Sequence, residues 1–332
     1  MYSSVSFLGG GSFGTALSII LSKKGIKVNI WDRNKNIVED INEKRENIRY
    51  LHGVVIPQNV DASNDAKSVI KKGEVLVLSV PSQAVREVLR NFKNFIREDQ
   101  IIVNIAKGIE EKSGKRLSKV IQEELPLNKV VVLSGPSHAE EVARDIPTTV
   151  AVSSENMEYA KKIQDLFMTN KFRVYTNEDI IGVEIGGAVK NVIALACGIS
   201  DGIGYGDNSK AALMTRGIAE IVRIGEKLGG KRETFSGLTG IGDLIVTCTS
   251  VHSRNRRAGI LIGQGTPVKK AVEEVGMVVE GIKACRAFYE LKEKLNVQMP
   301  ITEALYSILF QGKDPKYTVY ELMTREKKDE VY

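Results

Sequence analysis

The start of the chain restricts its folding most. Ser4–Leu8, a short run of strand character, is followed at once by Gly9-Gly10-Gly11-Ser12-Phe13-Gly14. Residues 15–24 then carry apolar side chains at helical spacing, Gly25 ends them as a C-cap does, and Lys27–Trp31 reads as the next strand. Strand, G-x-G-x-x-G turn, helix and strand within about 30 residues form the opening unit of a doubly wound parallel sheet. Gly9 permits the tight turn, Gly11 lets backbone approach a pyrophosphate, and Gly14 lets helix and strand pack closely. The free N–H groups at the helix start would hold the phosphates, so the stretch predicts a dinucleotide site. Asp32-Arg33 at the end of the second strand gives a mixed signal. An acid there suits the ribose hydroxyls of NAD and an arginine suits the 2′-phosphate of NADP, which points to use of both.

The pattern continues. Strands are expected at 74–80, 100–105 and 129–133, with helices at 83–91 and 115–124 between them. Val80-Pro81-Ser82, Ala106-Lys107-Gly108 and Ser134-Gly135-Pro136-Ser137 end those strands, and ligands in open α/β sheets sit beyond such ends. Thr148–Ser153, a helix at 157–168 and a strand at 172–175 close the sheet, and the polar run 176–179 marks a boundary. Residues 1–178 are therefore read as a Rossmann-type dinucleotide domain and 179–332 as a helical substrate domain.

From 180 onward helical periods take over, at 180–200, 208–228, 268–274, 280–294 and 298–311. The first of these is apolar nearly all round, as a core helix is, yet it contains Lys190 and Asn191. Burial lowers the pKa of a lysine, which makes Lys190 a candidate proton donor or acceptor; a lysine snorkelling to water is the alternative. The glycine-rich run ending in Asp243 should bring backbone close to a partner, and Asp243 is placed either there or as a helix cap. Ser253 reads as an N-cap, with Arg254, Asn255, Arg256 and Arg257 in the turn that follows. Arginines at a helix N-terminus oppose the helix dipole, and a bound anion removes the conflict, so Arg254 and Asn255 suggest a phosphate clamp.

Apolar content of 42% and charged content of 27% are those of a globular protein. The net charge of +6 is spread without a compact basic patch, which argues against a nucleic-acid partner but suits an anionic substrate. Cys197, Cys248 and Cys285 lie far apart, and with His52, His138 and His252 they show no zinc spacing, so no metal is expected. Reduced thiols, no leader sequence and no apolar run near the ~18–20 residues of a membrane span point to the cytoplasm and no membrane partner.

Taken in order, 9–14, Lys107-Gly108, Gly135-Pro136-Ser137, Val189-Lys190-Asn191, 237–243 and Ser253-Arg254-Asn255 resemble the NAD(P)-dependent glycerol-3-phosphate dehydrogenases of bacteria. The resemblance implies reversible hydride transfer between NAD(H) or NADP(H) and dihydroxyacetone phosphate, giving sn-glycerol 3-phosphate for phospholipid synthesis. It implies Lys190 as proton donor, Lys107 as stabiliser of the substrate oxygen and Asp243 as the group that orients Lys190. Substrate would touch Lys107, Gly135, Ser137, Lys190, Asn191, Asp243, Ser253, Arg254 and Asn255. Cofactor would touch Gly9, Gly11, Ser12, Phe13, Gly14, Arg33, Lys107, Ala139, Arg254, Val278 and Glu280. It also implies an all-helical second domain of 6-phosphogluconate dehydrogenase-like type and a homodimer. Ketopantoate and β-hydroxyacid dehydrogenases share the two-domain plan but do not need Ser253-Arg254-Asn255. A dinucleotide-sensing scaffold would need a partner-binding module and would leave Lys190 without purpose.

Overall fold

The structure, a computed structural model, describes residues 2–327, 329 and 330. Eight strands make one sheet: β1 (Ser4–Leu8), β2 (Lys27–Trp31), β3 (Val60–Ser63), β4 (Val75–Leu78), β5 (Ile101–Asn104), β6 (Lys129–Ser134), β7 (Thr148–Ser153) and β8 (Phe172–Asn177). Their order is β3-β2-β1-β4-β5-β6-β7-β8. All neighbours are parallel except β6 and β7, which run antiparallel where the two added strands close the sheet. The order reverses between β1 and β4, and a ligand crevice is expected at that switch point.

Alternation along the strands feeds two cores. Val5, Phe7, Val75 and Val77 pack with Leu17 and Ile20 of α1 (Ser12–Lys23) and with Ile163 and Phe167 of α7 (Met157–Phe167). Leu8, Leu76 and Leu78 face the other way, towards Ile70 of α3 (Ala66–Lys72), Leu89 of α4 (Val85–Phe92) and Leu117 and Ile121 of α5 (Leu117–Glu124). Both faces are covered, as a parallel sheet requires. Two short helices complete the layer, α2 (Lys35–Glu39) and α6 (Ala139–Val142).

Among the described residues that follow, the regular elements are helices: α8 (Ile180–Ile203), α9 (Asp207–Lys227), α10 (Arg232–Phe235), α11 (Asp243–Thr249), α12 (Arg254–Gly263), α13 (Val268–Val275), α14 (Glu280–Leu295), α15 (Pro300–Gln311) and α16 (Pro315–Met323). Asp179 starts α8 by accepting from Gly182 N at 2.8 Å, and Gly204, at φ +98°, ends it. The apolar stretch does reach membrane-span dimensions, contrary to the sequence expectation. Its best window has a mean hydropathy of 1.7, but 89% of that window is buried inside the protein. Small residues explain both facts, since glycine and alanine keep the helix apolar and let neighbours reach its backbone. Gly198 and Gly202 of α8 face Gly259 and Gly263 of α12. A Cβ on Gly198 would lie 2.2 Å from Arg256 O, and one on Gly259 2.3 Å from Leu195 O. The two helices thus cross with their backbones in contact.

Glu184 of α8, also buried, ties this domain to the sheet domain. It accepts from Ser118 N at 2.8 Å and Ser118 Oγ at 2.6 Å and pairs with Arg116, all at the start of α5.

Candidate active site

The glycine turn after β1 has the shape a pyrophosphate needs. Gly9 sits at φ +116°, and a Cβ there would lie 2.9 Å from the Ser79 carbonyl. A Cβ on Gly14 would lie 2.8 Å from Ser79 Cβ, so this glycine lets α1 pack against the β4 end. Gly11 differs. The nearest atom to its would-be Cβ is 3.6 Å away, so packing within the chain does not require glycine there. The backbone is left open to a ligand. Ser12 and Phe13 begin α1, whose first turn has neither a side-chain cap nor an acidic residue. These residues fit a dinucleotide phosphate, held by N–H groups and the helix dipole.

Across the crevice, three strand-end residues converge with α8 and α11. Lys107, after β5, donates from Nζ to Gly135 O at 2.7 Å, to Ser137 Oγ at 3.3 Å and to Asp243 Oδ2 at 2.9 Å. The same ammonium lies 6.0 Å from the centre of the Phe13 ring, which links it to the glycine turn. Lys190 donates to the other oxygen, Asp243 Oδ1, and to Thr247 Oγ1 at 2.8 Å. Thr247 donates in turn to Asp243 O at 2.6 Å. Asp243 is therefore no helix cap. It is the first residue of α11, and its carboxylate, 1% exposed, bridges two lysines.

Electrostatics follow from this burial. Desolvation lowers the pKa of Lys190 to about 7, Asp243 opposing the fall and Lys107 adding to it. Burial by itself would raise Asp243, but Lys107 and then Lys190 outweigh it and hold the carboxyl below its usual range. A lysine poised near neutrality can give or take a proton under ordinary conditions. The snorkelling alternative fails, because Lys190 as a whole is 4% exposed.

The remaining residues divide into two groups. Asn191 and Asn255 are joined, Asn255 Nδ2 donating to Asn191 Oδ1 at 2.9 Å, while Asn255 Oδ1 accepts from Gly281 N at 2.9 Å. This ties α8, α12 and α14 together beside Lys190 and brings Arg254, the first residue of α12, to the same region. Ser253 is the N-cap expected, its Oγ accepting from Arg256 N at 3.3 Å. Glu280 reaches back to the sheet domain, accepting from Ser82 N at 3.1 Å and Ser82 Oγ at 2.6 Å. Ala139 starts α6, Val278 is exposed near the start of α14, and Arg33 is exposed after β2.

Thr247 was not singled out from the sequence, Ser82 was read only as part of a strand-end turn at the crevice, and His138 only as lacking a zinc spacing. His138 precedes Ala139, its ring centre 5.9 Å from that of His252, and burial, followed by Lys190 and Lys107, lowers its pKa. A hydroxyl amid the apolar residues of α11 was the one legible signal for Thr247.

Known proteins bear on this arrangement directly. The family model described as the N-terminus of NAD-dependent glycerol-3-phosphate dehydrogenase matches residues 4–160, and that of its C-terminus matches residues 179–320. A glycerol-3-phosphate dehydrogenase (NAD(P)+) of Clostridium tetani is 70% identical over 98% of this chain and 93% of its own. One from Clostridium acetobutylicum is 67% identical over 99% of both chains. The crystal structure of glycerol-3-phosphate dehydrogenase from Coxiella burnetii superposes with a TM-score of 0.94 at 39% identity, over 97% of this chain and 99% of that one. A ketopantoate reductase from Ralstonia eutropha, at TM-score 0.62 and 14% identity, shares the fold alone. With both family models matched in order over most of its length and relatives up to 70% identical, the chain belongs to the NAD-dependent glycerol-3-phosphate dehydrogenase family.

Proposed function

We infer that the protein reversibly reduces dihydroxyacetone phosphate to sn-glycerol 3-phosphate with NADH or NADPH, and that Lys190 handles the proton. The observation that carries the roles is the buried Lys190–Asp243–Lys107 network at the carboxyl ends of the strands. The bound nicotinamide supplies the hydride to the C2 carbon. Lys190 gives its proton to the C2 oxygen and recovers it in the reverse direction. Lys107 faces the same oxygen and stabilises the negative charge that develops there. Asp243 holds both ammonium groups, and Thr247 fixes the Lys190 head. Arg254 at the start of α12 takes the substrate phosphate, with the second N–H of Asn255 beside it. Gly135, Ser137 and Asn191 line the substrate side. Gly9, Gly11, Ser12, Phe13, Gly14, Arg33, Ala139, Val278 and Glu280 line the dinucleotide side.

In this reading residues 1–178 bind the dinucleotide and 179–332 the substrate. A cytoplasmic homodimer without membrane or nucleic-acid partners belongs to the same reading, on the strength of the family.

The reaction is tested by following loss of nicotinamide absorbance with dihydroxyacetone phosphate and with dihydroxyacetone. Turnover of the phosphate ester is expected, with little of the free ketone; equal rates would remove the phosphate clamp. The proton role sets a pH dependence. Reduction needs protonated Lys190, so its kcat falls as pH rises through about 7. Oxidation of glycerol phosphate needs the neutral amine and rises over the same range. Identical profiles in both directions would take Lys190 out of the proton step.

A further inference from the structure

The segment from Lys107 to Arg116 leaves the end of β5 and returns to the start of α5 as a closed loop. Ile109 and Arg116 form an antiparallel bridge, Glu110 N donates to Lys115 O at 2.9 Å, and Gly114 N donates to Glu110 O at 2.8 Å. The base of the loop therefore lies two residues from Lys107, and it is bonded to α8. Arg116 Nη1 donates to Glu184 Oε2 at 2.5 Å. The same carboxylate accepts from Ser118 N at 2.8 Å and Ser118 Oγ at 2.6 Å. Arg116 supplies no side-chain cap to α5, so Glu184 satisfies the start of that helix from outside it.

Loop and helix meet again nearer the site. A Cβ on Gly187, one turn after Glu184, would lie 3.8 Å from Lys107 Cγ, so the lysine stem runs beside the helix backbone. One turn further, Lys190 and Lys107 share the Asp243 carboxylate. The two segments that carry the lysines are thus joined at Asp243 and again at Glu184, about 9 Å back along α8. Asp243 by itself does not fix their separation. Two ammonium groups on one carboxylate repel each other, and drift of either segment relieves the repulsion. The second tie opposes that drift, and solvent screens it little, since the Glu184 and Arg116 side chains are 3% and 12% exposed.

We propose that Glu184 is a positioning residue of the reaction: through Arg116 and Ser118 it sets the spacing between Lys107 and Lys190. This role rests on the charge-stabilising and proton functions inferred above for the two lysines.

Glu184→Gln keeps the shape of the side chain but leaves Arg116 without its ionic partner. The groups that act electrostatically on Lys190 are Asp243 and Cys248 of α11, Lys107 of the loop and His138 before α6. Burial brings the Lys190 pKa down to about 7, Asp243 opposes the fall and Lys107 adds to it, so a Lys107 free to retreat lets the value rise. In Glu184→Gln, kcat for reduction should drop about tenfold to a hundredfold, the scale for a reacting group misplaced by about 1 Å. The pH at which kcat declines should move upward. Dinucleotide affinity should stay within a few fold. Trp31, the single tryptophan, reads it, because its carbonyl accepts from Gly9 N of the glycine turn at 2.8 Å and its emission overlaps reduced nicotinamide absorption.

Less folded protein, with kcat per dinucleotide-binding site and its pH midpoint unaltered, is the mark of a purely structural tie and would overturn the proposal. Should the single variant fold poorly, Glu184→Gln/Arg116→Met decides. It removes both charges of the buried pair together, which is often neutral for stability. Folded double variant with the kcat and midpoint of the unaltered protein overturns the proposal. Lys190 is also read without turnover, by NMR titration of protein carrying isotope-labelled lysine, its resonance identified with Lys190→Arg. If dihydroxyacetone phosphate is not reduced but the Lys190 titration moves upward in Glu184→Gln, the reaction assignment fails while Glu184 still sets the spacing. If the unaltered protein reduces it and the titration stays in place in Glu184→Gln, the reaction assignment stands and the positioning role is overturned.

Discussion

Lys190→Ala should lower kcat for dihydroxyacetone phosphate reduction by about a hundredfold to ten-thousandfold, the range for loss of a general acid. Dinucleotide affinity, read from Trp31, should stay within a few fold, because Lys190 lies on α8 and not on the glycine turn. Stability should fall as well. Asp243 is 1% exposed and would keep only Lys107 as an ionic partner, and stranding part of a buried ion pair costs about 3–5 kcal/mol at the extreme. Lys190→Arg separates the two effects. A guanidinium keeps the charge beside Asp243 but does not deprotonate at neutral pH, so it should recover folding without turnover. If Lys190→Ala loses dinucleotide binding together with activity, the lysine is a structural residue.

Arg254→Ala should act on binding instead. Arg254 opens α12, where no acidic residue occupies the first turn, and it stands next to Asn255, which is joined to Asn191. Removing one member of a hydrogen-bonded charge pair costs about 2–5 kcal/mol. The KM for dihydroxyacetone phosphate should therefore rise by roughly a hundredfold or more, with a smaller change in kcat. The slow reaction of unphosphorylated dihydroxyacetone should hardly respond. An unaltered KM for the phosphate ester would place the phosphate elsewhere.

Much of the fold was legible because its signals are local. β1, the glycine turn, α1 and β2 each carry their own pattern within a few residues, and the predicted strand Lys27–Trp31 is the observed one. β3 was missed. Val60–Ser63 is a four-residue edge strand containing Asp61, and short, charged edges are how sheets avoid further pairing. α16 was missed for a similar reason, since only Thr318 of its residues is buried and its apolar pattern has little core to answer to.

The site was legible where a residue contradicts its surroundings. Lys190 in an apolar helix and Arg254 at a helix N-terminus are visible without a structure. The same reasoning marks Glu184 as a residue that needs partners, though only the structure shows them to be Arg116 and Ser118. Lys107, by contrast, has nothing unusual about it in a loop, and its contact with Asp243 spans 136 residues of sequence. The engagement of Asn255 by Asn191 and Gly281, and of Glu280 by Ser82, likewise depends on how three helices and a strand end meet.

The glycine-lined crossing of α8 and α12 has a consequence for selectivity. In the proposed mechanism one helix carries the lysine assigned to the carbonyl end of the substrate, and the other carries the arginine assigned to the phosphate end. Between them, at Gly198, Gly202, Gly259 and Gly263, main chain meets main chain, with no side chain to repack. The separation is set by atomic radii, as in a fixed caliper. A molecule with one carbon more or fewer between carbonyl and phosphate meets jaws that do not adjust. If those assignments hold, substrate length is measured by the skeleton of the protein itself.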